Sequence, residues 1–131
     1  MKKKILLPLK SEFYLMIELG KKTEEYRAIA PHWITRLVKK PFVDLLRDGF
    51  ELTWEKHEYN ENLVGYIENL VELNGADAVF KRFDSVDFSY GYTKRHMEWE
   101  CKGLRIGYGN PDWGAEKGKK YFVFELGRRL A

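Results

Sequence analysis

The chain alternates between short stretches of strand-like and helix-like hydrophobic patterning. Residues 5–9 form an apolar run that predicts a first strand, and residues 11–19 place apolar side chains at helical spacing. We expect Ser11 to cap this helix and Gly20 to end it, because glycine adopts a left-handed turn at little cost. Residues 23–29 then predict a second strand.

The middle of the chain is predicted to be helical. Pro31 and Pro41 each suit the first turn of a helix, and Asn60 suits the cap of a third. In this third helix the apolar positions recur at helical spacing and stop at Asn74 and Gly75; they are Leu63, Val64, Ile67, Leu70 and Val71. We expect the stripe to pack inside the molecule; a face for a partner or a second copy is the alternative.

From residue 83 onward aromatic and β-branched residues dominate. Val86, Phe88 and Tyr90 alternate with polar residues, which is typical of a half-buried strand, and residues 121–126 predict a buried closing strand. Strands at both ends and helices between them predict an α+β fold. The length of 131 residues suits one domain spanning residues 1–131.

Composition narrows the function classes only slightly. A net charge of +3 is too small for a generally basic nucleic-acid binder, so nucleic-acid contacts would depend on where charges lie. A lone cysteine, Cys101, favours a reducing compartment, and we expect a cytoplasmic protein. The apolar run at residues 5–9 is too short for a membrane span. The three histidines are far apart and lack partners at ligand spacing, so we expect no metal or cofactor.

The strongest candidate site lies at the start of the second predicted strand. Side chains alternate across a strand, so Glu25 and Arg27 should share one face, as should Thr23. Lys22 sits at the preceding corner and can place a second cation beside the carboxylate. Such a cluster suits a polar or anionic ligand; a surface ion pair on an edge strand is the alternative.

The spacing of Gly20, Lys22, Glu25 and Arg27 resembles the G-x-K-x-x-E-x-R motif of the ASCH domain family. Residues 5–19, 31–37, 83–92, 111–114 and 121–127 also resemble segments of that family, so the resemblance spans roughly two thirds of the chain, on either side of residues 38–82. The resemblance implies a PUA-like β-barrel with flanking helices. It leaves residues 38–82 as a helical insertion, and it associates the chain with RNA and nucleosides.

Some ASCH proteins are amidohydrolases that deacetylate N4-acetylcytidine, with the motif lysine activating a threonine. The resemblance therefore implies Lys22 as a catalytic base, with Glu25 transferring protons or orienting a water. The sequence departs from those enzymes because Glu25 occupies the threonine position. The only argument for Thr23 as a substitute nucleophile is that it is next to Lys22. The stronger interpretation is that Thr23 is an ordinary strand residue.

Aromatic residues near turns are candidates for stacking on a base. Tyr92 follows Gly91 close to Lys94 and Arg95, and Trp113 lies in a glycine-rich loop at residues 107–114, where it could instead plug the end of the barrel. The leading hypothesis is a protein that binds RNA or a modified nucleoside through Lys22, Glu25, Arg27, Tyr92 and Trp113.

Two other classes remain open. One is an enzyme, either an amidohydrolase acting on N4-acylated cytidine nucleosides or a ribonuclease, which would use the same lysine and carboxylate. The other is a protein-interaction module that would use the helical stripe at residues 63–71 and the apolar stretch at residues 41–46.

Overall fold

A computed structural model describes residues 2–131, and its elements follow the predicted order of strands and helices. The strands and helices, in chain order, are β1 (Lys4–Leu9), α1 (Ser11–Glu18), β2 (Glu24–Ala28), α2 (Pro31–Leu37), α3 (Lys40–Gly49), α4 (Glu51–Lys56), α5 (Glu61–Asn74), α6 (Ala76–Val79), β3 (Ser85–Tyr90), β4 (His96–Tyr108) and β5 (Lys120–Arg129). A short 3-10 helix at Pro111–Trp113 lies between the last two strands.

The five strands form one curled sheet in the order β1-β3-β4-β5-β2, so the fold is α+β. β1 runs parallel to β3, and the other three pairings are antiparallel. β1 and β2 are the two edges, which suits Pro8 because proline cannot donate to a central ladder. The pairing of β4 with β5 shifts register on both sides of Cys101, as at a bulge, and bulges bend the strands that contain them.

The main core lies on one face of the sheet, beneath α1, α2 and the helices that follow. Phe122 and Phe124 of β5 point into it and are fully buried. The residues paired with them on β2 are Arg27 and Glu25. Because directly opposed residues of two strands share a face, the side chains of Glu25 and Arg27 lie on the core side of the sheet. Tyr26 lies on the other face, in a small cluster with Val123.

Helices α3 to α6 form one block of the chain, and backbone hydrogen bonds join the segment before the block to the segment after it. Val38 and Phe80 form an isolated antiparallel bridge, and on either side Lys39 N–H donates to Val79 O and Lys81 N–H donates to Leu37 O, both at 2.8 Å. Helices α3 to α6 therefore lie between the two residues of this bridge. The most deeply buried part of the α5 stripe lies in the main core, as the packing interpretation predicts; it comprises Leu63, Val64 and Ile67.

The predicted helix ends are mostly confirmed. Gly20 has φ of +75° directly after α1, and the Asn60 side chain accepts hydrogen bonds from the N–H groups of Asn62 and Leu63. The prediction that Ser11 caps α1 is wrong. Lys10 is the cap, because its carbonyl accepts the first helical bond from Tyr14 N–H, and this makes Ser11 the first helical residue.

Within residues 2–131, no helix has both the length and the apolar character needed to cross a bilayer.

Candidate functional site at the open edge of the sheet

The backbone between α1 and β2 fixes where Lys22 points. After the left-handed turn at Gly20, the N–H groups of Lys21 and Lys22 both donate to the carbonyl of Met16, at 2.9 and 3.1 Å. These bonds close the end of the helix and hold Lys22 at the corner. Its side chain therefore lies over the core face of β2, where Glu25 and Arg27 also point.

Lys22, Glu25 and Arg27 form a closely bonded cluster, which we call the KER cluster. Lys22 Nζ lies 2.7 Å from Glu25 Oε1, and Arg27 Nη2 lies 2.7 Å from Glu25 Oε2. The exposed fractions of the three side chains are 1%, 6% and 16%. An exposed ion pair on an edge strand, the alternative interpretation, does not fit this burial.

The KER cluster carries one more positive than negative charge, because two cations share one carboxylate. Removing charges from water is costly unless each is paired and hydrogen-bonded. Both oxygens of Glu25 are occupied, whereas Lys22 uses one of its three N–H donors on protein and Arg27 Nε is buried without a partner. The cluster therefore has spare hydrogen-bond donors on both cations.

Arg27 also connects the two edges of the sheet. Its Nη2 donates to the carbonyl of Pro8 on β1, at 2.9 Å. Within residues 2–131 no backbone ladder joins β1 to β2, so this side chain crosses the opening that the curled sheet leaves between its edge strands. The KER cluster thus lies at the gap of a half-closed barrel.

Aromatic rings surround the cations of the KER cluster. Lys22 Nζ lies 4.4 Å from the centre of the Phe13 ring and 5.6 Å from that of Tyr26. The Trp33 ring contacts the guanidinium groups of Arg27 and Arg36, at 5.1 and 4.7 Å. Cation–π contacts at these distances are attractive and strengthen when water is excluded.

The aromatic residues chosen from sequence lie elsewhere. Tyr92 is 98% exposed in the turn between β3 and β4, and Trp113 is half-buried at the end of the 3-10 helix. Within residues 2–131 neither ring makes a cation–π contact with Lys22 or Arg27. Sequence reasoning missed Phe13 and Trp33 as members of the site. The available signals were that both lie within ten residues of the motif and that Trp33 follows Pro31, which starts α2.

The loop after β4 closes over the rings that cover Lys22. Asn110 N–H donates to Tyr26 Oη at 2.9 Å, and a Cβ atom added at Gly109 would lie 2.9 Å from the Tyr26 ring. A Cβ atom at Gly114 would lie 2.7 Å from the ring of Phe13, and Gly114 has φ of +98°. Only glycine fits at these two positions, because a Cβ atom at either one would be too close to a ring. A ligand can therefore reach Lys22 only if this loop or the rings move.

The hydroxyl groups near the KER cluster do not supply an activated nucleophile. Burial, and then the hydrogen bond that Tyr26 donates to Glu24 at 2.7 Å, raise the pKa of Tyr26 above its ordinary range. The phenol therefore stays neutral. Thr23 is exposed while its neighbour Lys22 is buried, and its carbonyl accepts from Leu126 N–H. The structure brings Lys22, Glu25 and Arg27 together but leaves Thr23 outside.

Metal ligands do not gather in the part of the chain that is described. Residues 2–131 contain no group of three or more His, Cys, Asp or Glu side chains arranged to hold an ion. His32 packs edge-on against Trp33, and His96 Nδ1 lies 2.7 Å from Asp87. Two surface grooves, of about 1080 and 230 Å³, have no lining residue in common with the KER cluster.

No protein-family model matches the chain, and comparisons with curated proteins and with solved structures find no similar protein either.

Proposed function

We propose that this protein binds a nucleoside or a nucleotide of RNA, and that the KER cluster is the contact site. The observation that carries the proposal is that the buried carboxylate of Glu25 is shared by the buried Lys22 and the partly buried Arg27. A site with unused donors and a surplus positive charge is complementary to a ligand that brings acceptors.

The chemistry of a nucleotide fits each part of the site. A base carbonyl or a phosphate oxygen would accept from Lys22 Nζ and from the unpartnered Nε of Arg27. Glu25 has lone pairs left for an exocyclic amine, which distinguishes cytosine and adenine from uracil. Phe13, Tyr26 and Trp33 supply ring faces at the cations, and a base stacks on such faces with about 1–3 kcal/mol of stabilisation.

We propose further that the domain is a PUA-like fold of the ASCH type. Two features support this. The curled five-stranded sheet with helices on its core face is compatible with such a barrel. The motif spacing also has a physical basis. The turn at Gly20 places Lys22 where its ammonium bonds Glu25, and Glu25 also bonds Arg27 on the same face of the edge strand.

Hydrolysis of an N4-acylated cytidine or of RNA is the second candidate function. The observation that favours it is the buried Lys22–Glu25 pair, because a lysine and a carboxylate in a water-poor site can transfer protons to a substrate. Binding is favoured over turnover because Thr23 is exposed and Tyr26 is neutral, so the cluster lacks a nucleophile of its own.

The test is calorimetric titration of the protein with cytidine, N4-acetylcytidine and cytidine monophosphate. Lys22→Met keeps an unbranched side chain of similar length but removes the charge. Loss of a charge-assisted hydrogen bond should weaken binding by about 10- to 100-fold. The matched control is Lys21→Met, the exposed neighbour, which should bind like the unmodified protein.

Chromatography of the same mixtures separates binding from turnover. Unchanged nucleoside in every mixture, with the loss of affinity confined to Lys22→Met, supports a binding module. A deacylated product that forms with the unmodified protein and not with Lys22→Met would establish the amidohydrolase. Equal affinity of Lys22→Met and Lys21→Met for every ligand would refute the KER cluster as the site.

A further inference from the structure

A second charged surface lies away from the KER cluster. A groove of about 1080 Å³ runs past α6, the start of β3, the bulged part of β4 and the end of β5. We call it the bulge groove, because the double register shift at Cys101 lies in its wall. Its volume is at the upper end of the roughly 300–1000 Å³ that small-molecule sites occupy, which favours an extended ligand.

Five cations line the bulge groove, and all of them are exposed: Lys2, Lys81, Arg82, Lys102 and Arg128. Within residues 2–131 none of these five has a carboxylate within 4.0 Å. Elsewhere on the surface ion pairs do form, as between Arg95 and Glu18 at 3.0 Å. Lys81 Nζ donates to the carbonyl of Thr35 at 3.3 Å, and the other four cations remain available to a ligand.

Four carboxylates also line the bulge groove, and two of them are hydrogen-bonded within the protein; the four are Asp77, Asp84, Glu98 and Glu100. Asp84 accepts a hydrogen bond from the backbone N–H of Lys3 at 2.8 Å, and Glu98 accepts from Ser85 Oγ at 2.5 Å. Asp84, Glu98 and Glu100 are half-buried and only Asp77 is exposed, whereas all five cations are exposed. At the solvent-facing rim of the groove, five positive charges therefore stand against one negative charge.

The floor of the bulge groove is apolar and partly aromatic. Phe83 and Leu104 are half-buried in its lining, and Phe80 lies beneath them with 4% exposure, so Phe83 is the ring that a base can reach. A smaller groove of about 230 Å³ shares Phe80 and Leu104 with it and continues the depression along β4. The far end of this continuation carries Glu72 and Glu68, and Glu68 is paired with Lys120 at 2.9 Å.

We propose that the bulge groove binds the sugar–phosphate backbone of single-stranded RNA. Exposed cations beside aromatic and apolar side chains are the combination with which proteins follow a single strand, since phosphates meet the cations and bases meet the rings. An acidic peptide would use the cations but not the aromatic floor. The proposal rests on the proposed function only in choosing RNA over other polyanions, because it shares no residue with the KER cluster.

The test is fluorescence anisotropy of a labelled single-stranded RNA at a series of salt concentrations. The groove variant combines Arg82→Gln, Lys102→Gln and Arg128→Gln. The matched control combines Lys21→Gln, Lys56→Gln and Lys94→Gln, which removes the same charge from exposed positions outside the groove. Urea unfolding of both should give midpoints close to that of the unmodified protein, because all six side chains are exposed.

We expect the groove variant to reduce the slope of log K against log[salt] by about 2, because each phosphate contact on a single strand contributes roughly 0.7. Affinity should fall about tenfold or more, and the control should keep the original slope. Equal losses in both triple variants, or no RNA binding by the unmodified protein, would overturn the proposal. Displacement of the RNA by poly-glutamate at equal charge concentration would overturn the choice of RNA.

Mononucleoside titration separates this proposal from the function proposed for the KER cluster. The groove variant should bind nucleosides normally. Lys22→Met should lose nucleoside affinity while its RNA binding keeps the salt dependence of the unmodified protein. Loss of the salt slope in Lys22→Met, with the groove variant unaffected, would place the phosphate contacts at the KER cluster and overturn the groove.

Discussion

Glu25→Gln should destabilise the protein strongly, because it leaves the buried Lys22 and the partly buried Arg27 without a counter-charge. The carboxylate side chain is only 6% exposed, and each of its oxygens bonds one cation at 2.7 Å. An amide of the same shape can accept at one oxygen only, and its NH₂ group would face the other cation. Breaking a buried ion pair by removing one partner costs about 3–5 kcal/mol. We expect a loss in this range.

Lys22→Met should behave very differently although it removes a charge from the same place. It leaves Glu25 and Arg27 as a neutral pair that keeps its contact at 2.7 Å. The methionine would pack against Phe13, where the ammonium now lies 4.4 Å from the ring. Replacing buried charge by apolar volume is often neutral or stabilising, so we expect a change within about 1 kcal/mol of zero.

Urea unfolding followed by tryptophan fluorescence measures both free energies. The slope of the free energy with urea concentration should be the same in the three proteins, which would show that the compactness of the native state is unchanged. If Glu25→Gln and Lys22→Met are equally destabilised, the argument from surplus charge is refuted. If instead Lys22→Met keeps its stability but loses nucleoside affinity, the positive charge of Lys22 serves binding and does not stabilise the fold.

The remaining predictions concern a helix cap, a buried phenol and the single thiol. Asn60→Ala should cost about 1 kcal/mol in urea unfolding, because two N–H groups of α5 lose their acceptor, whereas Asn62→Ala should cost less; equal costs would exclude capping. Burial and the hydrogen bond to Glu24 raise the pKa of Tyr26. The stabilisation that the neutral Tyr26 phenol provides is therefore complete below the ordinary pKa of 10.0, and it is lost as the pH rises through the pKa of the folded state. The stability difference between the unmodified protein and Tyr26→Phe should therefore narrow above about pH 10, and a constant difference would contradict the assignment. Burial also raises the pKa of the Cys101 thiol, so iodoacetamide should alkylate the folded protein more slowly than the urea-unfolded chain at the same pH; equal rates would show that the thiol is accessible.

Much of the local structure could be predicted from the sequence because it depends on neighbours along the chain. The order of elements follows from hydrophobic periodicity, and Gly20 and Asn60 mark helix ends through their own backbone and side-chain chemistry. The pairing of Glu25 with Arg27 follows from the alternation of side chains along β2. The error at Ser11 is of the same local kind, since a cap can shift by one residue without changing the helix.

The aromatic members of the site could not be predicted in this way. Phe13, Tyr26 and Trp33 come from a helix, the opposite face of a strand and a second helix, and only packing brings them to the cations. Tyr92 and Trp113 have the same chemistry in the sequence. The fold, however, places one in an exposed turn and the other in a short 3-10 helix.

By itself, the sequence determined the elements, the corner at Gly20 and the shared face of Glu25 and Arg27, because each depends on backbone preferences within a few residues. Tertiary structure alone decided that the face is buried, that β1 pairs with β3 about eighty residues away, and that Arg27 reaches Pro8 across the open edge of the sheet. Those outcomes depend on long-range packing and on the curl of the sheet. Burial is also the property that makes the surplus charge of the KER cluster costly enough to indicate a ligand.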